Sequence, residues 1–147
     1  MLFRSNDEAK ENRENVAHIA ETQGTEAIAD LQLPKLITEE TRRHHPEVEA
    51  FIRRMIGAAT PQGIAAASRG MALRPDSTDL LANIQCPTMV IVGEHDVLTP
   101  PFVAQDYAAK IPGAQYIVIP SAGHLSNLEQ PESFHQAISG FLYSVSW

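Results

Sequence analysis

Apolar positions recur along this chain at two different periods, and the change falls just after Leu73. From Asn6 to Leu73 they lie three and four residues apart and alanine is plentiful, the spacing of a buried stripe on a helix. Asn6 or Asp7 can cap a first helix that closes at Gly24, and Thr25 can cap a second over Glu26–Leu33 that Pro34 ends. Thr38-Glu39-Glu40-Thr41 starts a third short turn. Pro46 takes the first position of a helix through Ile56, with Val48, Phe51, Ile52, Met55 and Ile56 on one face. Thr60-Pro61 repeats the cap-then-proline signature before the Ala-rich run from Gly63 to Leu73. No segment of this half reads as a strand.

After Arg74-Pro75-Asp76-Ser77 the pattern changes. Thr88-Met89-Val90-Ile91-Val92 is a continuous apolar, β-branched run ending in Gly93, as in a strand buried on both faces of a parallel sheet. Thr99-Pro100-Pro101 opens a helix to Lys110, and Pro112-Gly113 ends it. Gln115 to Ile119 is a second strand, stopped by Pro120. Pro131 to Tyr143 is a last helix, with Phe134, Ala137, Ile138, Phe141 and Leu142 directed inward. Strand, helix, strand, helix is a βαβα unit of a parallel sheet. Two strands by themselves leave hydrogen-bonding edges and an apolar face uncovered. Further strands are therefore expected from upstream or from a partner.

Composition narrows the picture by exclusion. A length of 147 residues suits one domain, and 44% hydrophobic residues suit a globular one. The net charge of −7 argues against nucleic acid and against anionic membrane surfaces. No apolar run approaches the roughly 20 residues of a membrane-spanning helix. The polar stretch Asn6–Asn15 does not have the layout of a signal peptide. Cys86 is the single cysteine, so no internal disulfide can form, and a reducing, cytoplasmic setting is expected. Met1–Ser5 fit no pattern of the chain and are expected to be artefactual or disordered.

The chemistry sits where the two strands end. Gly93-Glu94-His95-Asp96 follows the first and Gly123-His124 the second, the edge where open parallel sheets collect catalytic groups. Asp96 and His124, 28 positions apart, can meet there. A carboxylate that accepts from one ring nitrogen fixes the tautomer and leaves the other nitrogen free to take a proton from a nucleophile.

These residues resemble the α/β-hydrolase fold family. Gly93-Glu94-His95-Asp96, followed by Thr99-Pro100, is similar to its G-x-x-D acid loop; Gly123-His124 with Glu129 and Pro131 is similar to its G-H-x-x-x-x-E-x-P histidine loop. The order of acid then histidine agrees with the family. Leu33-Pro34-Lys35-Leu36 and Thr60-Pro61-Gln62-Gly63-Ile64 resemble the branch of 3-oxoadipate enol-lactonase-like hydrolases. The resemblance implies an α/β class: a partial α/β-hydrolase fold, a helical lid followed by the last two βα units of a parallel sheet. Its parts would be residues 1–5 (artefactual or disordered), 6–76 (lid) and 77–147 (core). It also implies Asp96 and His124 as catalytic acid and base, with Val97 and Leu125 expected to contact substrate.

The family's G-x-S-x-G nucleophile elbow is absent. Ala66-Ala67-Ser68-Arg69-Gly70 is the nearest match, but it lies in a helical alanine run where an elbow needs a preceding buried strand. Glu94 is an alternative acid, less suited by its position directly after Gly93. His95 reads as a solvated loop residue, His44 and His45 as helix-start residues, and His18 and His135 as surface positions. None has partners at metal-ligand spacing, so neither a metal nor an organic cofactor is expected. Cys86 reads as structural, Phe51, Met55 and Met71 as lid packing or pocket lining, and Glu129 as a carboxylate serving the start of the last helix.

The expected function is that of a serine hydrolase fragment acting on a small ester or lactone, its nucleophile missing from this chain. The alternatives are a non-enzymatic half-domain that self-associates through its exposed sheet edge or completes another chain, and a parent with carbon–carbon hydrolase, dehalogenase or haloperoxidase chemistry. A fold does not choose among these.

Overall fold

Alanine decides how the first half packs. The computed structural model describes residues 7–145, so the expectations for Met1–Ser5 and for Asn6 as a cap lie outside the described residues. In chain order come α1 (Asp7–Leu36), α2 (Glu39–His44), α3 (Pro46–Gly57), α4 (Pro61–Ala72), a 3₁₀ turn (Thr78–Asn83), β1 (Met89–Gly93), α5 (Pro101–Lys110), β2 (Gln115–Ile119), α6 (Ser126–Glu129) and α7 (Pro131–Ser144). Ala17 and Ala20 of α1 and Ala65 of α4 are buried together with Ile28, small side chains that let the two helices approach closely. Val16, Ile19, Ile56 and Ile64 close this cluster from its rim. A second cluster joins Ala29, Leu33 and Ile37 to Ile52 of α3, and Leu125 and Leu128 pack against it from the far end of the chain. Removing a fully buried leucine such as Leu33 would cost about 2–5 kcal/mol.

The break expected at Gly24 is present: the helix kinks there, with φ 83° and ψ −175°. The expected stop at Pro34 is not. The helix runs on to Leu36, and the Ile37 N–H still reaches the Leu33 carbonyl at 3.2 Å. Proline removes one donor near the helix end, and the buried cluster around Leu33 and Ile37 holds the last turn in place despite that loss. Thr38 and Thr60 cap their helices by accepting from the Thr41 and Gly63 N–H groups at 3.1 and 3.0 Å. Pro46 and Pro61 stand at the first turns of α3 and α4, as their sequence positions imply.

In the second half β1 and β2 pair in parallel, in register from Met89↔Gln115 to Gly93↔Ile119, with α5 as the crossover. Val92, Gly93 and Ile119 are buried at the C-terminal ends, whereas Met89, Val90 and Ile91 are half-buried and Val118 is exposed. Burial on both faces is thus reached only where the strands end, because neither outer edge has a neighbour among the described residues. The last helix shows the same shortfall. Phe134, Ala137, Ile138 and Phe141 are half-buried, and Leu142, expected inward, is 47% exposed. The architecture is mostly helical with a two-stranded parallel sheet, a partial α/β fold. Among the described residues no helix is long and apolar enough to cross a membrane.

Two arginines tie the helices across their outer faces. Arg53 of α3 reaches Glu26 and Asp30 of α1 as well as Glu49, and Arg69 of α4 reaches Glu14 at 2.8 Å and Glu21 at 2.6 Å. Hydrogen bonds from Arg69 hold both glutamates below the ordinary value of 4.5. Carboxyls lowered on folding stabilise the fold above the unfolded value, and that contribution is lost as pH falls through the lowered ones. Thermal stability followed by circular dichroism is therefore expected to fall as pH drops below 4.5, and Arg69→Ala should flatten that dependence.

Candidate active site

The turn out of β1 and the turn out of β2 are fitted to one another at the level of the backbone. A Cβ at Gly93 would overlap the carbonyl oxygens of Gly123 and Ala122 and lie 2.8 Å from the Ala122 carbonyl carbon. Only glycine allows this approach. The two turns are then sewn together: the Glu94 N–H donates to the Ile119 carbonyl at 2.9 Å and the His95 N–H to the Ala122 carbonyl at 2.8 Å. Ser121, whose φ of 54° is unusual for a non-glycine residue, donates its N–H to the Glu94 carboxylate at 2.9 Å. Glu94, the alternative acid, thus binds the turn's backbone rather than His124.

Asp96 is 6% exposed and both of its oxygens are used. Oδ1 accepts the N–H groups of Leu98 and Thr99, each at 2.8 Å. Oδ2 faces His124 Nδ1 at 2.8 Å. A carboxylate offers only acceptors, so Nδ1 carries the proton and the neutral ring keeps a lone pair on Nε2. The His124 side chain is 37% exposed, and Nε2 has no hydrogen-bond partner among the described residues. The pair is thus anchored at the carboxylate and open at His124 Nε2. Such an arrangement can orient an imidazole to take and return a proton.

Glu129, expected to serve the start of the last helix, makes its hydrogen bonds elsewhere, and the start of α7 has no side-chain cap. Glu129 is 7% exposed, and its carboxylate joins three segments. Oε1 accepts the Gly123 N–H at 2.6 Å, and Oε2 accepts the Thr38 N–H at 2.7 Å and the hydroxyls of Thr38 and Thr41 at 2.8 Å. On the other side of His124, the Leu125 N–H donates to the Leu36 carbonyl at 2.9 Å. The E-x-P spacing after His124 was visible in the sequence, but its threonine partners, some ninety positions earlier, were not.

The two expected substrate-contact residues part company. Leu125 lines an open apolar cavity of about 700 Å³ with Phe51, Met55, Ile56 and Leu128, and Gln32 and Asn127 bring it amide groups and no charge. Val97 is exposed and lies instead beside a smaller hollow with Lys35, Thr38, His95 and Gly123. Met71 borders a third hollow with Ser68 and Leu98. Ser68 itself is buried and donates its hydroxyl to the Arg13 carbonyl at 2.7 Å, the bond of a packing residue rather than a nucleophile. His45 pairs with Glu47, His95 lies 3.9 Å from Glu94, and Cys86 is exposed. Among the described residues no cluster of three or more ligand-type side chains could hold a metal ion.

The chain belongs to the alpha/beta hydrolase family, whose profile matches residues 9–137. An esterase of known structure from Thermogutta terrifontis is 48% identical, with a TM-score of 0.91 over 97% of this chain and 53% of its own. The enol-lactonase of Burkholderia xenovorans LB400 is 30% identical, with a TM-score of 0.83 over 88% of this chain and 49% of its own. In sequence, 3-oxoadipate enol-lactonase 1 of Acinetobacter baylyi is 43% identical over 89 residues, 60% of this chain and 33% of that enzyme. The chain spans about half the length of these solved relatives and a third of that curated one. Its relatives include hydrolases of the esterase and lactonase kinds.

The approach at Gly93 makes a direct test of the site's framework. Gly93→Ala is expected to lose about 1–3 kcal/mol or more, because backbone rather than a flexible side chain must move. Gly70→Ala, in α4 with nothing within 4 Å, is expected to gain about 0.5–1 kcal/mol. Urea unfolding of the two variants measures the contrast.

Proposed function

We propose that the chain is the acid-and-base-bearing part of a serine hydrolase that cleaves carboxylic esters or lactones. The observation that carries this reading is the 2.8 Å bond from Asp96 Oδ2 to His124 Nδ1, with Asp96 Oδ1 held by two backbone N–H groups. His124 Nε2 takes the proton from a serine hydroxyl as that oxygen attacks the ester carbonyl. It then returns the proton to the leaving alcohol oxygen. A water molecule repeats the sequence to release the acid, and Asp96 keeps the ring oriented throughout. The serine and the N–H groups that stabilise the oxyanion come from residues outside this chain. Residues 6–76 serve as the lid and 77–147 as part of the core. A cytoplasmic setting accords with the lone cysteine, Cys86.

The non-reacting part of the substrate lies in the apolar cavity beside Leu125. A lactone of a dicarboxylic acid keeps a free carboxylate, which a charge-free wall would have to strip of water without a partner. The chain's net charge of −7 works against such an anion as well. A neutral ester with an apolar chain suits this wall better.

The test is a chimera in which the part of the Thermogutta terrifontis esterase outside its match precedes this chain. It is expected to hydrolyse a short-chain nitrophenyl ester, to lose about 10⁴-fold in kcat with Asp96→Asn, and to lose at least as much with His124→Ala. Folded chimera whose turnover survives His124→Ala would sink the assignment. Competition between a neutral nitrophenyl ester and one ending in a carboxylate should favour the neutral one in kcat/KM. Equal rates would argue against the apolar substrate.

A second reading has its own support. The sheet edges, without a neighbour among the described residues, and the exposed Leu80 and Phe102 favour association of the 147-residue chain when alone, a state that size-exclusion chromatography with light scattering reads directly.

A further inference from the structure

We propose that Glu129 is a positioning residue for His124, and that through it the setting of His124 depends on Thr38 and Thr41. The proposal rests on the reading of His124 as the base. Three anchors fix that histidine. Asp96 holds the ring at 2.8 Å. Glu129 holds the N–H of the residue before it, Gly123, and the Leu36 carbonyl holds the N–H of the residue after it, Leu125. The last two anchors both lead into the segment from Leu36 to Thr41, so the backbone of the base is located by helices remote in sequence.

The chemistry of the hub explains why a carboxylate stands there. One oxygen accepts the Gly123 N–H and the other accepts the Thr38 N–H. A hydroxyl can turn and accept where it once donated, but a backbone N–H cannot. A glutamine in this place would present its NH₂ to one of the two N–H groups, whichever way the amide is turned. An aspartate, one methylene shorter, would not span them. The seat is also tight: a Cβ at Gly123 would lie 3.0 Å from Glu129 Oε1 and 3.4 Å from Ile37 Cα. Breaking either end therefore leaves a buried donor unpaired and lets the loop that carries His124 shift. A displacement on the order of 1 Å in a catalytic group can cost about 10²-fold in rate.

The experiment combines the chimera's kinetics with hydrogen exchange on the 147-residue chain. Four variants serve: Glu129→Gln, the gentler Thr41→Val, Arg69→Ala as a control that removes the ion pairs between α4 and the outer face of α1, away from both loops, and His124→Ala. Glu129→Gln is expected to lower kcat by about 10²-fold while KM changes less than about threefold, and Thr41→Val to lower it by a smaller factor in the same sense. Both should speed exchange in residues 36–42 and 121–126 together, whereas Arg69→Ala should leave kcat and the exchange of 121–126 unchanged. If Glu129→Gln does not fold, Thr41→Val carries the test. Unchanged kcat in a folded Glu129→Gln or Thr41→Val chimera, or exchange of 121–126 indifferent to Thr41, would overturn the proposal. Turnover that survives His124→Ala removes the hydrolase reading alone; the exchange coupling is read independently of it.

Discussion

The backbone of the β2 turn lies directly against Gly93, so close that no side chain fits between them. This approach brings together the turns that carry Glu94, Asp96 and His124. It brings the His95 N–H to the Ala122 carbonyl, places Glu94 where it fastens Ser121, and leaves Asp96 three residues further on, facing His124. Parallel strands in register deliver their C-terminal ends to the same edge, and the missing side chain lets the two turns touch. Asp96 and His124 therefore meet through backbone geometry before either side chain contributes an interaction of its own.

Polar groups in the molecule fall into two kinds with different consequences. Arg53 and Arg69 form ion pairs on exposed faces, where solvent screening keeps such pairs to small contributions. Asp96 and Glu129 are buried with both oxygens hydrogen-bonded, Asp96 by its own loop and by His124, Glu129 by Gly123 and by the distant Thr38 and Thr41. Buried carboxylates of this kind cost dearly if a partner is lost, so they hold one arrangement rather than several. The helical half and the α/β half are joined by such a buried network and by the apolar contact of Leu125 and Leu128 with Leu33, Ile37 and Ile52. Apolar packing alone would tolerate a sliding contact. The Glu129 bonds to Thr38, Thr41 and Gly123 do not.

The sheet has the opposite character. Its strands are composed for burial on both faces, yet only Val92, Gly93 and Ile119 are buried, and α7 has no buried residue. Apolar strands with open edges match a chain that spans about half the length of its solved relatives. The half described here holds together because its helices build two cores of their own, around Ala17 with Ala65 and around Leu33 with Ile52. The sheet contributes the placement of Asp96 and His124 more than it contributes a core.

Local features were legible in the sequence because their causes are local. Proline at a first helical turn, threonine before it, a positive-φ glycine at Gly24 and a β-branched run before Gly93 act within a few residues, and the helices and strands follow them closely. The contact between Asp96 and His124 was legible too, since each lies just beyond a recognisable strand. Pro34 misled because a tertiary cluster around Leu33 outweighs one missing hydrogen bond. Leu142 misled because inward direction on a helix requires something to face. Glu129 was visible as a motif position, but its work depends on Thr38 and Thr41, which only the fold brings to it. The sequence by itself determined the elements and the two chemical groups, because helix and strand periods and turn residues are properties of neighbours. Tertiary structure alone decided what holds those groups in place, because the hydrogen bonds that do so join residues up to 91 positions apart.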